Sequence, residues 1–171
     1  MLFRSQIGQV AQFAAAGKAI GKKDLAQIAM SYGYVYVAHI AMGADYNQTV
    51  KALKEAESYN GPSLIIGYAP CEMHGIKGGM SNCMAEMKKA VAAGYWHNYR
   101  FDPRAKVEGK PAFVVDSKQP TESYLDFIKS ENRYARLQMA FPERAEALFS
   151  KAVTEAEDRY DYLNRLAELY K

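Results

Sequence analysis

The stretch that decides the fold is YVYVAHIAMGADYNQTVKALKEAESYNGPSLIIGYAPC, residues 34–71. Its first seven residues, YVYVAHI, are β-branched, aromatic or apolar at odd and even positions alike. That is the pattern of a strand covered on both faces. Asp45 followed by Gln48 is a helix-capping pattern, and Val50, Leu53 and Ala56 lay an apolar stripe along the helix behind it. Gly61-Pro62 stops that helix before a second apolar run, SLIIGY at residues 63–68. Strand, helix and strand in this order predict a parallel pair joined by a right-handed crossover, so the fold class is α/β.

Working outward, residues 8–17 are rich in Ala, with Val10, Phe13 and Ala14 at helical spacing, and predict a short buried helix ending at a glycine. Asp24 and Gln27 repeat the capping pattern ahead of Leu25, Ile28, Ala29 and Tyr32 on one helical face, with Gly33 as the stop. On the other side of the deciding stretch a helix is expected over residues 81–93. An aromatic run follows, from Tyr95 to Phe101, and Phe113-Val114-Val115 is placed as an added edge strand. Beyond Asp116 the pattern turns helical. Thr121 is expected to cap one helix running through Ala140, and Pro142 to open another. In that last helix Ala145, Leu148, Phe149, Ala152, Ala156, Tyr160, Leu163 and Leu166 form one apolar face. The neighbourhood of Asp116 is the candidate subdomain boundary.

Composition narrows the function classes. With 49% hydrophobic and 24% charged residues over 171 positions, the chain has the make-up of one folded domain and not of a disordered segment. A net charge of +3 comes from 22 basic and 19 acidic residues mixed along the chain, which is no nucleic-acid footprint. No secretory signal occupies residues 1–17, and no apolar run nears the roughly 20 residues that span a bilayer. A soluble, cytoplasmic protein with no membrane partner is expected. Two cysteines are too few for a disulfide scaffold, so their interest is reactivity or metal. Thirteen tyrosines and eight methionines suggest large buried or docking surfaces.

Cys71 follows a proline at the end of the second strand, where ligands of open α/β sheets sit, and could act as a nucleophile or a metal ligand. A buried structural thiol is the commoner role for such a residue. Cys71, His74 and Cys83 offer three zinc ligands where a closed site needs four, at a spacing that matches no finger or ribbon. The glycines at 75, 78 and 79 fit neither the phosphate-loop nor the dinucleotide pattern, leaving a flexible connector as the better description. His39, inside an apolar strand, and His97, inside an aromatic run, read as hydrogen-bonded core or interface histidines and are given no role. No Ser-His-Asp set or H-E-x-x-H motif can be assembled.

Several strings in order carry a family resemblance: VAQFAAAGK at 10–18, KKDLAQIAMSYGYVYVA at 22–38 and GPSLIIGYAPC at 61–71. HGIKGGM at 74–80, GYWHNYR at 94–100 and DSKQP at 116–120 continue the series. Together they resemble the C-terminal part of pyruvate:ferredoxin (flavodoxin) oxidoreductases. The resemblance implies the C-terminal portion of a doubly wound parallel-sheet thiamine-diphosphate-binding fold, followed by C-terminal helices. It assigns residues 1–116 to the latter part of that α/β domain and residues 117–171 to a helical extension.

The same resemblance implies oxidative decarboxylation of pyruvate to acetyl-CoA, with electrons leaving through 4Fe-4S clusters. The complete enzyme would hold thiamine diphosphate, magnesium and the clusters, and would pass electrons to ferredoxin or flavodoxin. The cysteine of the family's APC motif falls on Cys71, as one cluster ligand of four, and no function is carried onto Cys83. The family's GDG-containing and YSNTGGQ segments, which hold magnesium and diphosphate, are expected just before Phe3 and are not in this sequence. The chain alone is therefore expected to be inactive, to bind none of these cofactors, and to need the remaining upstream domains or subunits as partners. Lacking its first strands, it is expected to expose an apolar sheet edge. Homo-oligomerisation is possible, and a non-catalytic binding or assembly module is the alternative reading.

Overall fold

The computed structural model describes residues 5–11, 14–71, 76 and 78–171. A four-stranded sheet in the order β2-β1-β3-β4 is built from β1 (Tyr36–Ile40), β2 (Ser63–Gly67), β3 (Tyr99–Phe101) and β4 (Phe113–Val115). The pair β1·β2 is parallel, with Ala38 opposite Ile65, and α2 (Tyr46–Ser58) lies between the two strands in sequence. The strand–helix–strand reading of residues 34–68 therefore holds, and β1 is an interior strand. The strands β3 and β4 extend the sheet antiparallel, with Ala38 opposite Arg100 and Arg100 opposite Val114.

Alternation along the strands sends side chains to two covered faces. Tyr36, Ala38 and Ile65 meet α2 through Ala52 and Ala56. On the opposite face Val37, Tyr99, Phe101 and Phe113 meet Ala26 and Met30 of α1 (Leu25–Met30), together with Leu163 of α6 (Pro142–Leu169). A third cluster joins Ile7 and Trp96 to α3 (Cys83–Ala92), α4 (Tyr124–Ser130), α5 (Asn132–Ala140) and the first half of α6. No described helix is long and apolar enough to cross a membrane.

Helix starts follow the sequence closely. The side chains of Asp24 and Asp45 accept hydrogen bonds from the amides of Gln27 and Gln48, both at 2.9 Å. The reciprocal half of each capping box is absent, because both glutamine side chains go elsewhere. Gln27 donates to the Tyr162 hydroxyl, and Gln48 donates to the His39 carbonyl oxygen and to Asp116 Oδ2.

Three expectations need correction. The described part of residues 8–17 is not helical. It is an antiparallel loop in which the Gly8 amide donates to the Lys18 carbonyl oxygen at 2.8 Å and the Lys18 amide to the Gln9 carbonyl oxygen at 3.2 Å. Gly8 and Gly17 adopt φ of 81° and 77°, outside the helical region, and the buried Lys18 ammonium is held by the carbonyl oxygens of Ser5 and Gly21. The expected helix from Thr121 to Ala140 is two helices. Ser123 caps the first, and Glu131, in extended conformation at φ −84° and ψ 128°, breaks the run before α5. The break lets Phe127 and Ile128 share one core with Tyr134 and Leu137. Finally, the aromatic run contains a strand, β3, three residues long and buried throughout.

Candidate functional site

Cys71 lies four residues beyond Gly67, the last residue of β2, and is half-buried. The strand leads into it through Tyr68, whose amide bonds the Ile40 carbonyl oxygen at 2.9 Å and whose ring lies between those of Tyr95 and Trp96. Arg133 of α5 donates to Cys71 Sγ through Nη2 at 2.6 Å and to Gln9 Oε1 through Nη1 at 3.4 Å. Gln9 Nε2 in turn donates to the Tyr95 hydroxyl at 2.8 Å. The loop before α1, the exit of β2 and helix α5 thus converge on one guanidinium and one sulfur. Burial pushes the Tyr95 phenol up to about 12, so it stays a neutral donor and acceptor here at any physiological pH.

Next to this corner a cleft of about 250 Å³ opens against the sheet face that carries His39. His39 is stacked on both sides, against Trp96 at 4.4 Å and against Tyr99 at 4.3 Å between ring centroids. Lys22 Nζ stands 5.3 Å from the centroid of the Trp96 ring, and Arg159 closes another side while paired with Asp24 at 2.5 Å. Burial, with Arg159 and Lys22 adding to it, holds His39 down at about 3. Burial and Arg159 hold His97 at about 4. Both imidazoles are neutral at pH 7. Among the described residues, neither ring nitrogen of His97 nor the Trp96 Nε1 has a hydrogen-bond partner. These ring nitrogens can donate or accept hydrogen bonds, but neither imidazole is poised to exchange a proton near neutrality.

Below the opposite face the sheet is fixed by ionic bonds. Arg100 Nε and Nη2 bond the two carboxylate oxygens of Asp116, and its Nη1 bonds both oxygens of Glu55, at 2.6 to 2.9 Å. This ties β3 to α2 and to the residue that follows β4.

The described residues provide one cysteine sulfur at the Cys71 corner and no group of three or more His, Cys, Asp or Glu side chains able to hold a metal. The sequence placed Cys71 correctly at a strand end, but the described residues do not make a complete cluster site around it. Cys83 starts α3, half-buried, at the rim of the helical core. His74, and Gly75 of the connector, lie outside the described residues. His39 and His97 are packed among aromatic rings, but the hydrogen bonds expected of a core histidine are missing at both ring nitrogens of His97 among the described residues. Arg133 and Gln9 have no local signature, because an arginine among the charged residues of α5 and a glutamine in an Ala-rich run carry no pattern of their own.

No family model matches the chain. The chain is 55% identical over 164 residues, 96% of its length, to the pyruvate:ferredoxin oxidoreductase of Moorella thermoacetica. It is 50% identical over 161 residues, 94% of its length, to the pyruvate-flavodoxin oxidoreductase of Klebsiella pneumoniae. To the mitochondrial pyruvate dehydrogenase [NADP(+)] of Euglena gracilis it is 44% identical over 164 residues, 96% of its length. It spans only 14%, 14% and 9% of those three proteins. In sequence, then, the chain is similar to one stretch of the pyruvate:ferredoxin and pyruvate-flavodoxin oxidoreductases.

Proposed function

We propose that the chain works as one segment of an enzyme that oxidatively decarboxylates pyruvate to acetyl-CoA, with Cys71 supplying one of the four thiolates of a 4Fe-4S cluster. The observation that carries this reading is 55% identity over 96% of the chain to a pyruvate:ferredoxin oxidoreductase. The position of Cys71 agrees with it: the sulfur lies past the carboxyl end of a parallel strand, half-buried, with a cationic donor on it. Hydrogen bonds to ligand sulfurs are one of the levers that set a cluster's potential, and the Arg133 guanidinium is placed to act as one. The other three thiolates, and the groups that hold thiamine diphosphate and magnesium, would come from polypeptide outside these residues. Residues 1–116 then form the latter part of the cofactor-binding domain and residues 117–171 its helical extension. The three relatives' names share pyruvate and differ in acceptor, so we assign ferredoxin or flavodoxin as the acceptor of the assembled enzyme and no acceptor contact to this chain.

The test is a chimera of the Moorella thermoacetica protein that carries this chain in place of its matched segment, purified without oxygen. With Cys71 intact it is expected to contain its full iron and to reduce viologen dependent on pyruvate. Cys71→Ala is expected to lose about four iron atoms per polypeptide and nearly all of that activity. Unchanged iron in the alanine variant would remove Cys71 from the cluster.

A further inference from the structure

Buried polar atoms in folded proteins are nearly always hydrogen-bonded, and one left open points to a missing partner such as a water, an ion or a ligand. Three open atoms meet at one place in this fold. His97 Nδ1 and Nε2 and Trp96 Nε1 have no hydrogen-bond partner among the described residues, and the two residues are only 6% and 7% exposed. Both line the cleft of about 250 Å³ that lies between the sheet face of His39 and Ile66 and the face of α6 that carries Ala152, Ala156 and Leu163. The turn from α3 to β3 holds them there. The amides of Tyr95 and Trp96 both bond the Ala90 carbonyl oxygen, at 2.9 and 3.1 Å, and Gly94 makes the turn at φ 72°. His39 stacks on the indole, and Tyr160 packs on the His97 ring at 5.6 Å between centroids.

The charges at the cleft favour an anion. Arg159 and Asp24 are paired with each other. Glu155 sits at the Gly21 end, where its carboxylate acts on Lys18. Lys22 lies at the exposed rim with its Nζ 5.3 Å from the centroid of the Trp96 ring. Partial loss of water there lowers its pKa; Asp24 opposes that shift, while Lys18 and Arg159 add to it. A bound anion would oppose it further, whereas a bound cation would face Lys18, Lys22 and Arg159 together. The remaining wall is apolar, with Ile7 and Leu163 buried and Ile66 half-buried. An inorganic anion would leave that wall against water. The volume lies just below the range of about 300–1,000 Å³ typical of ligand pockets, so the occupant is small.

We propose that this cleft binds a small organic carboxylate, which accepts hydrogen bonds from Lys22, Trp96 Nε1 and a His97 nitrogen and lays a hydrocarbon or aromatic body against Ile7, Ile66 and Leu163. An indole only donates, and a neutral imidazole donates through one nitrogen and accepts through the other. The carboxylate therefore takes the donors, and the remaining His97 nitrogen accepts from a bound water. Cys71 does not line the cleft, so this binding is independent of the pyruvate reaction proposed for the assembled enzyme. Pyruvate is itself a carboxylate but brings only a methyl group to the apolar wall, so it is a weak occupant.

Trp96 is the one tryptophan of the chain, so its indole N–H gives a single side-chain signal in nitrogen–proton correlation spectra. The test titrates that signal with benzoate, with benzamide as the same shape without the charge, with inorganic phosphate as the charge without the body, and with pyruvate. Benzoate is expected to shift it saturably with a Kd below about 1 mM, and the other three to bind at least about 10-fold more weakly. Lys22→Met is expected to weaken benzoate about 10-fold, and His97→Phe, which keeps an aromatic ring and removes both nitrogens, about 5-fold. Where His97→Phe does not fold, Lys22→Met, at an exposed residue, decides. No saturable shift up to about 10 mM benzoate, or equal binding of benzoate by the natural chain and Lys22→Met, overturns the proposal. Equal affinity for benzamide would mean that only the apolar wall binds, and equal affinity for phosphate or pyruvate that the body is not recognised; each overturns it as well. Equilibrium dialysis of labelled benzoate against the Moorella chimera and its Lys22→Met form is the last arm. Benzoate binding in the chimera that Lys22→Met weakens supports the site in the assembled enzyme, whereas binding to the isolated chain that is lost in the chimera gives the cleft to the rest of the polypeptide and overturns the proposal.

Discussion

The imidazole of His39, in β1, and the indole of Trp96, in the turn after α3, lie 4.4 Å apart with 8° between their planes. The ring is held neutral there, at about 3, and His97 at about 4, both below the value of about 6.5 for an unfolded histidine. Below pH 6.5 the unfolded chain therefore binds more protons than the folded one. The stability these residues contribute is complete above pH 6.5 and is lost progressively as pH falls toward 4 and 3. Urea midpoints at pH 7.5, 5.5 and 4.5 are expected to fall less for His39→Phe, which keeps an aromatic ring in the stack, than for the natural chain. Equal falls would show that His39 is not a source of the acid sensitivity.

Arg100 holds two carboxylates, Glu55 and Asp116, with side-chain exposures of 10%, 25% and 14% in that order. Removing the guanidinium leaves the two carboxylates without their shared cation. Arg100→Leu is expected to cost about 3 kcal/mol in urea unfolding, within the range for breaking a buried pair. Arg100→Lys keeps the charge but cannot reproduce the fork, so it should recover less than half of the loss. Full recovery with lysine would mean that charge alone matters at this corner.

Gly43 marks the closest approach of the loop after β1 to α3. A Cβ on residue 43 would stand 2.3 Å from the Met84 carbonyl oxygen, a backbone atom that cannot swing away. The Gly43 amide also donates to Met87 Sδ at 3.3 Å. Gly43→Ala is expected to destabilise the chain by about 2 kcal/mol, the middle of the range for overpacking. A thermal midpoint within a degree of the natural chain would contradict the contact.

Phe113 is 1% exposed and packs against Tyr99 at 5.1 Å and Tyr170 at 6.4 Å between centroids. It joins β3, β4 and the residue after α6 in one aromatic layer. Phe113→Ala should cost about 3–5 kcal/mol, whereas Val114→Ala, on a residue 37% exposed in the same strand, should cost well under 1 kcal/mol. Similar losses at the two positions would argue against this layer.

Sequence alone reaches the regular parts of this fold. The caps at Asp24 and Asp45, the strands at 36–40 and 63–67 and the apolar face of α6 each have a period or a punctuation mark that physics makes legible. It misreads residues 8–17 because an Ala-rich run carries helix propensity, while the outcome there is decided by two positive-φ glycines and by the tertiary bonds of Gln9 and Lys18. It misses the break at Glu131 because no glycine or proline marks it. It finds Cys71 through its neighbours in sequence and not Arg133, which reaches the sulfur from 62 positions away. Contacts of that range have no local signature.

Glu55, Arg100 and Asp116 come from three separated stretches of the chain, yet they share one set of ionic bonds, with Gln48 donating to Asp116 as a fourth member. Their effects on stability cannot add independently. A lineage that changes any one of them must tolerate a weakened protein until the others change to match, so the group will tend to be inherited together. Divergence among relatives should run more freely through the exposed faces of α2 and α6 than through this corner of the sheet.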